Sequence, residues 1–181
     1  MFVSRSLAVR YAVALCLFGS AFPGLVGSQV LYDGSAATPP SSQGWLYLTS
    51  PFFGASAVRS LTEEAVILDT MAALGDNAGW FSTLHPEVPV LDRSAGYSLR
   101  FDLQVLAEEH VTDSRAGLSV IALADDARGV EIGFWQDKIW VQGDDPLFKR
   151  AETVSVNTSS ALDAYHLNVM QDGYSLVANA R

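Results

Sequence analysis

The stretch Tyr97–Val105, YSLRFDLQV, constrains the fold more than any other. Apolar Tyr97, Leu99, Phe101, Leu103 and Val105 alternate with polar Ser98, Arg100, Asp102 and Gln104. A period of two sends the first set to one face of a strand and the second to the other. Such a strand has one dry side, so it needs a second layer to cover it. The signature recurs. Residues 117–124 (GLSVIALA) read as a more central strand, and Val130, Ile132 and Phe134 alternate again. Short strands are expected at 138–142, 152–156, 165–170 and 173–178, separated by the turn formers Gly143-Asp144-Asp145-Pro146 and Gln171-Asp172-Gly173.

Upstream, the first clear strand is Trp45–Thr49, after a Ser-, Ala-, Gly- and Pro-rich stretch at 29–44 that reads as a linker or loose N-terminal arm. Residues 60–74 carry two signals. Ser60-Leu-Thr-Glu63 fits a helix capping box, whereas residues 65–70 (AVILDT) have the β-branched content of a buried strand. The strand is the favoured reading. Many short strands, no repeat and no long helix indicate an all-β chain: an antiparallel two-sheet sandwich or jelly roll over residues 45–181. The sequence stops at Arg181 in what reads as a strand or the turn after it. The expectation is a sandwich lacking its last strand or strands and C-terminally truncated, since an unpaired edge is a liability.

The N-terminus reads as a secretory signal peptide over residues 1–28. Arg5 and Arg10 form a basic start, Tyr11–Phe22 is apolar but short for a bilayer span, and Val26-Gly27-Ser28 offers small residues for cleavage. The single cysteine, Cys16, lies inside the apolar run and lacks the context of a lipidation site. The remainder then has no cysteine, so its stability rests on its core. Residues 1–28 hold two of the eleven basic side chains and none of the twenty acidic ones, so the rest is more acidic than the formal −9 of the whole. Such a surface repels phosphate backbones and argues against nucleic acid as a partner. The expected location is secreted or cell-surface, with no membrane span after cleavage.

Three runs carry a resemblance: Gly96–Gln104, Arg115–Ile121 and Asp126–Trp135. Together they resemble the concanavalin A-like lectin/glucanase superfamily in its laminin-G-like style. More narrowly, they resemble the choice-of-anchor domains of bacterial exported proteins. The likeness spans about residues 44–181. It implies a curved two-sheet jelly roll outside the cytoplasm and no particular activity, because such sandwiches include lectins, hydrolases and structural modules. The sorting tail of the narrower family is absent from the sequence.

Candidate chemistry centres on EIGFWQDKIW, Glu131–Trp140, which holds two of the four tryptophans. A two-residue turn at Gln136-Asp137 pairs Trp135 with Lys138, Phe134 with Ile139 and Ile132 with Val141; a four-residue loop keeps the last two pairings. A three-residue loop would mix the faces, so the even register is expected. Ile132, Phe134, Ile139 and Val141 then share a core face. Glu131, Gly133, Trp135, Lys138, Trp140 and Gln142 share the other, with Gly133 opposite Trp140. Indoles beside a carboxylate and an amide suit a polysaccharide or cell-surface glycan, so Trp135, Trp140, Glu131, Gln142 and Arg128 are the candidate ligand-binding residues. Equally, the tryptophans could pack under a loop and only stabilise the sheet.

Glycoside hydrolysis would need a second carboxylate facing Glu131, and the next positions on its face are Gly133 and Trp135. No catalytic residue is assigned. His85, His110 and His166 lack metal-ligand spacing and read as loop or surface residues. No cofactor is required. The turn acids Asp76-Asn77, Asp125-Asp126 and Asp144-Asp145 could help hold Ca²⁺ but read first as solvated turns. Arg128 closes the turn before the hairpin, within reach of either Asp126 or the tryptophan face. Asn157-Thr158-Ser159 is a formal glycosylation sequon.

Overall fold

The computed structural model describes residues 9–12 (as backbone), 29–49, 57–72, 78–82, 88–109, 117–143 and 149–179. Its strands are β1 (Val9–Ala12), β2 (Leu46–Thr49), β3 (Val58–Leu61), β4 (Val66–Asp69), β5 (Ala78–Phe81), β6 (Tyr97–Val105), β7 (Leu118–Leu123), β8 (Gly129–Phe134), β9 (Lys138–Gln142), β10 (Arg150–Ser155), β11 (Asp163–Met170) and β12 (Gly173–Asn179). They form a six-stranded sheet in the order β12-β11-β6-β1-β4-β3, a four-stranded sheet in the order β10-β9-β8-β7, and the pair β2-β5. Every pairing is antiparallel. The architecture is all-β and sandwich-like. Residues 29–44 hold two 3-10 turns, Gly34–Ala36 and Pro40–Gln43, and among the described residues no helix is long and apolar enough to cross a membrane.

The alternation in β6 does what a period of two requires. Leu99, Phe101, Leu103 and Val105 are buried, whereas Ser98, Arg100, Asp102 and Gln104 are partly open. Its neighbour β11 buries Tyr165, Leu167 and Val169, and the facing sheet supplies Leu118, Val130, Ile132, Phe134 and Ile139 to the same cluster. Phe134 meets Phe101 edge-on at 6.0 Å and Tyr165 at 5.2 Å, so one aromatic knot joins the two large sheets. The stretch at 29–44 is tied into this core. Leu31 and Tyr32 are buried in it, and Trp45 Nε1 donates to the Leu31 carbonyl at 2.9 Å.

Residues 60–71 resolve in favour of strands. Val58–Leu61 and Val66–Asp69 form a hairpin, and Thr62 serves its turn rather than a helix start: its hydroxyl oxygen accepts from the Ala65 amide at 2.9 Å. Residues 73 and 74, the end of the alternative helix, lie outside the described residues. The short strands β3 and β5 were not signalled by the sequence, because VRSL and AGWF are too brief to show a period.

Candidate functional site

The Glu131–Trp140 hairpin adopts the even register. Ile132 pairs with Val141, Gly133 with Trp140 and Phe134 with Ile139. The Trp135 amide donates to the Lys138 carbonyl at 2.9 Å, closing the Gln136-Asp137 turn. The turn is held from outside as well. Gln136 Nε2 donates to the Leu106 carbonyl beyond the end of β6, and the Thr158 hydroxyl donates to the Trp135 carbonyl at 2.5 Å. Thr158 is fully buried, and its carbonyl also accepts from the Val105 amide. The middle residue of the formal sequon is therefore part of the core, pinning the hairpin to β6.

The outer face of the four-stranded sheet follows from the register. Across its strands run the rows Thr153–Trp140–Gly133–Ser119 and Arg150–Gln142–Glu131–Ile121. Two glycines seat the two indoles. A Cβ on Gly133 would lie 2.1 Å from the Trp140 ring, and one on Gly117 would lie 2.6 Å from the Trp135 ring. Gly117 also has φ +80°, a conformation that favours glycine. The indoles meet edge-on at 6.2 Å, and the cations of Lys138 and Arg150 lie 4.8 and 4.6 Å from the Trp135 ring centroid.

The question for a sugar platform is whether these rings are wet. They are not: Trp135 is 3% and Trp140 1% exposed. Ring stacking needs an open ring face, and this pair spends its faces on glycine, on cations and on itself. The Trp140 N–H is buried without a hydrogen-bond partner among the described residues.

The other candidates divide. Glu131 stays on the tryptophan face and accepts from the Ser119 hydroxyl at 3.0 Å. Its row neighbours are Ile121 and Gln142, so no second carboxylate stands beside it on that row. Gln142 Nε2 donates to the Lys149 carbonyl at 3.2 Å, holding the far end of the β9–β10 connection. Arg128 is at the opposite end of β8 from Trp135, with its guanidinium 3.6 Å from Asp172. The structure thus brings Trp135, Trp140, Glu131 and Gln142 to one face and leaves Arg128 elsewhere. A shallow depression does open beside the hairpin turn, lined by Glu108, Glu109, the Trp135 edge, Asp137, Lys138 and Arg150.

Arg128 belongs to a clasp that sequence reasoning missed. Arg93 lies 2.6 Å from Asp126 and 3.1 Å from Asp172, and its guanidinium also donates to the Gln171 carbonyl. These groups join the turn before β6, the β7–β8 turn and the β11–β12 turn, and so both large sheets. The hydrogen bond from Arg93 holds the Asp126 carboxyl below its ordinary value, helped by the Arg128 amide, and the two acids raise Arg93 in return. No local pattern marks Arg93, since its partners lie 33 and 79 residues away.

On the outer face of the six-stranded sheet, Ser98, Asn168 and Ser175 form a polar row. The Ser98 hydroxyl donates to Asn168 Oδ1 at 2.5 Å, and Asn168 Nδ2 approaches Ser175 Oγ at 3.5 Å. Beside it His166, expected in a loop or at the surface, sits mid-strand between Arg100 and Val177 with its Nε2 buried. Burial and then the Arg100 charge lower its pKa. His85, His110, Asp76-Asn77 and Asp144-Asp145 lie outside the described residues. Among the described residues, no three His, Cys, Asp or Glu side chains cluster as a metal site would require. Compared with protein-family models, with curated proteins and with solved structures, the chain gives no match, and no family is assigned to it.

Proposed function

We propose that this chain is a non-catalytic structural or adhesive module of a secreted or cell-surface protein, built as a jelly-roll-type sandwich. One observation carries the reading. The residues that most suggested a ligand platform, Trp135 and Trp140, are buried at 3% and 1% exposure, each against a glycine whose added Cβ would run into the ring. They cement a sheet. Glu131 is engaged by Ser119, and among the described residues of its row no second carboxylate faces it as glycoside hydrolysis would require. An extracytoplasmic setting is supported by the basic, apolar and small-residue pattern of residues 1–28 and by the acidic, cysteine-free remainder.

A glycan-binding reading is favoured by a different feature, the depression beside the turn. There Glu108, Asp137, Lys138 and Arg150 place donors and acceptors around the Trp135 edge. In that reading the sugar sits on the charged rim, not on the indole faces. A glycan array separates the two. The structural reading expects no glycan retained by the wild-type chain. Binding that is lost in Asp137→Ala and Lys138→Ala, at unchanged melting temperature, would transfer the function to the rim. Export is tested by N-terminal sequencing of secreted material, which should begin at Gln29.

A further inference from the structure

β1 comes from the segment that the sequence marks as a leader, yet it lies inside the six-stranded sheet. On one side it pairs with β4: Val9 with Leu68, Arg10 with Ile67, Tyr11 with Val66. On the other it pairs with β6: Val9 with Val105, Arg10 with Gln104, Tyr11 with Leu103, Ala12 with Asp102. Being antiparallel to β1, β4 and β6 run parallel to each other, and the strand order leaves them one strand apart. That gap is about 10 Å, two inter-strand spacings.

Its flanks are core. Val66, Leu68, Leu103 and Val105 are each no more than 2% exposed, and all four belong to the main hydrophobic cluster. Taking β1 away would leave the backbone N–H and C=O groups of 66–68 and 102–105 that face the gap without partners. It would also open a slot into the layer between the sheets. Closing the slot by sliding β4 onto β6 would exchange two antiparallel ladders for one parallel ladder and pull Val66 and Leu68 from their core positions.

We propose that the gap between β4 and β6 is a strand-acceptor site: once the leader is removed, it takes an extended segment of a separate polypeptide, apolar at alternate positions. This rests on the reading of residues 1–28 as a removed leader. Val9–Ala12 supplies the specification for the donor. It runs antiparallel to both flanks and spans four residues. Positions 9 and 11 stand opposite the buried pairs Leu68/Val105 and Val66/Leu103, and position 10 stands opposite the half-buried Ile67 and Gln104. Main-chain pairing on both sides gives affinity and the alternate positions give specificity, which is strand addition in the middle of a sheet instead of at its edge. An adhesive module would gain a way to join a second chain through backbone bonds.

The test uses the full chain with a specific protease site placed between Ser28 and Gln29, folded first and cut afterwards. A fluorescent synthetic peptide spanning residues 5–16 is the probe. Its counterpart with Val9→Asp and Tyr11→Asp is the control. Expected is a strand held without a covalent link, seen either as the cut fragment co-eluting with the body or as the probe replacing it. Amides of 66–68 and 102–105 then stay protected from hydrogen exchange. The control should bind at least about a hundredfold more weakly, because it would set two carboxylates at the positions opposite the buried pairs Leu68/Val105 and Val66/Leu103. The proposal is overturned if the cut body keeps that protection and its melting temperature with nothing bound, since the gap then closes by itself. Collapse of the cut body that the probe does not rescue overturns it too. Exported material still beginning at Met1 would defeat the leader reading, making β1 permanent, whatever the probe does.

Discussion

The outer faces of the two large sheets are built on the same alternation and end differently. On the four-stranded sheet, the outward positions carry Trp135 and Trp140, which the molecule covers. On the six-stranded sheet, they carry Ser98, Arg100, Asp102, Gln104, His166 and Asn168, which stay partly open. Period two assigns a residue to a face, and it says nothing about whether that face is wet. Wetness depends on what neighbouring strands offer. Gly133 and Gly117 offer two flat seats, so the indoles lie down; among the described residues the polar row pairs Ser98, Asn168 and Ser175 with one another, and their side chains bond across it.

The largest expected effect separates a packed indole from a platform. Trp140→Ala removes a fully buried ring and should destabilise the fold by about 3–5 kcal/mol, as large-to-small core changes do. Denaturant unfolding measures it. A loss below about 1 kcal/mol, typical of an exposed position, would return the tryptophans to the platform reading.

Gly133→Ala sharpens the same point. Its new Cβ would sit 2.1 Å from the Trp140 ring, a contact the ring must leave. Overpacking of this kind costs about 1–3 kcal/mol. In the Trp140→Ala background the added methyl has room, so the double-mutant cycle should show coupling that recovers most of that cost. Additive losses would mean that Gly133 is needed for its backbone and not as a seat.

Much of this was legible in the sequence, and the boundary is physical. The β8–β9 register could be read because only an even loop keeps Ile132, Phe134, Ile139 and Val141 on one face, and β6 could be read to the residue. The glycine opposite Trp140 was legible for the same reason. What could not be read is long-range. Thr158 reaches Trp135 across 23 residues, and Arg93 joins turns that lie far apart in the chain. For Arg128 the sequence offered Asp126 or the tryptophan face, and only the three-dimensional meeting of the β7–β8 and β11–β12 turns brings it to Asp172. The exposure of the indoles belongs to this second class, because it depends on Gly117 of another strand connection as much as on the hairpin itself.

The polar face should respond more weakly. Ser98→Ala removes the hydroxyl that donates to Asn168 in a half-buried setting, and a net hydrogen bond is worth about 1 kcal/mol. Asn168 also faces Ser175, so part of its bonding survives and the loss should stay at or below that value. A loss matching Trp140→Ala would erase the distinction between the faces.

The smallest effect is a slope with pH. Burial, and then the charge of Arg100, holds the pKa of His166 in the folded state below its ordinary value of 6.5. In the unfolded chain the imidazole keeps that ordinary value. Above about pH 6.5 it is neutral in both states and its contribution is constant. As pH falls through 6.5, the unfolded chain takes up the proton first, so unfolding is favoured. The penalty grows until the folded-state pKa is passed and then levels off. Stability should therefore decline from neutral pH toward mildly acidic pH, and His166→Gln should flatten that part of the curve. Arg100→Gln should flatten it less, since burial is the larger cause. Melting temperatures between about pH 7.5 and 5 measure both variants. If His166→Gln leaves the slope intact, the acid response belongs to another group. The polar face would then be as indifferent to its own titratable group as the tryptophan face is to solvent.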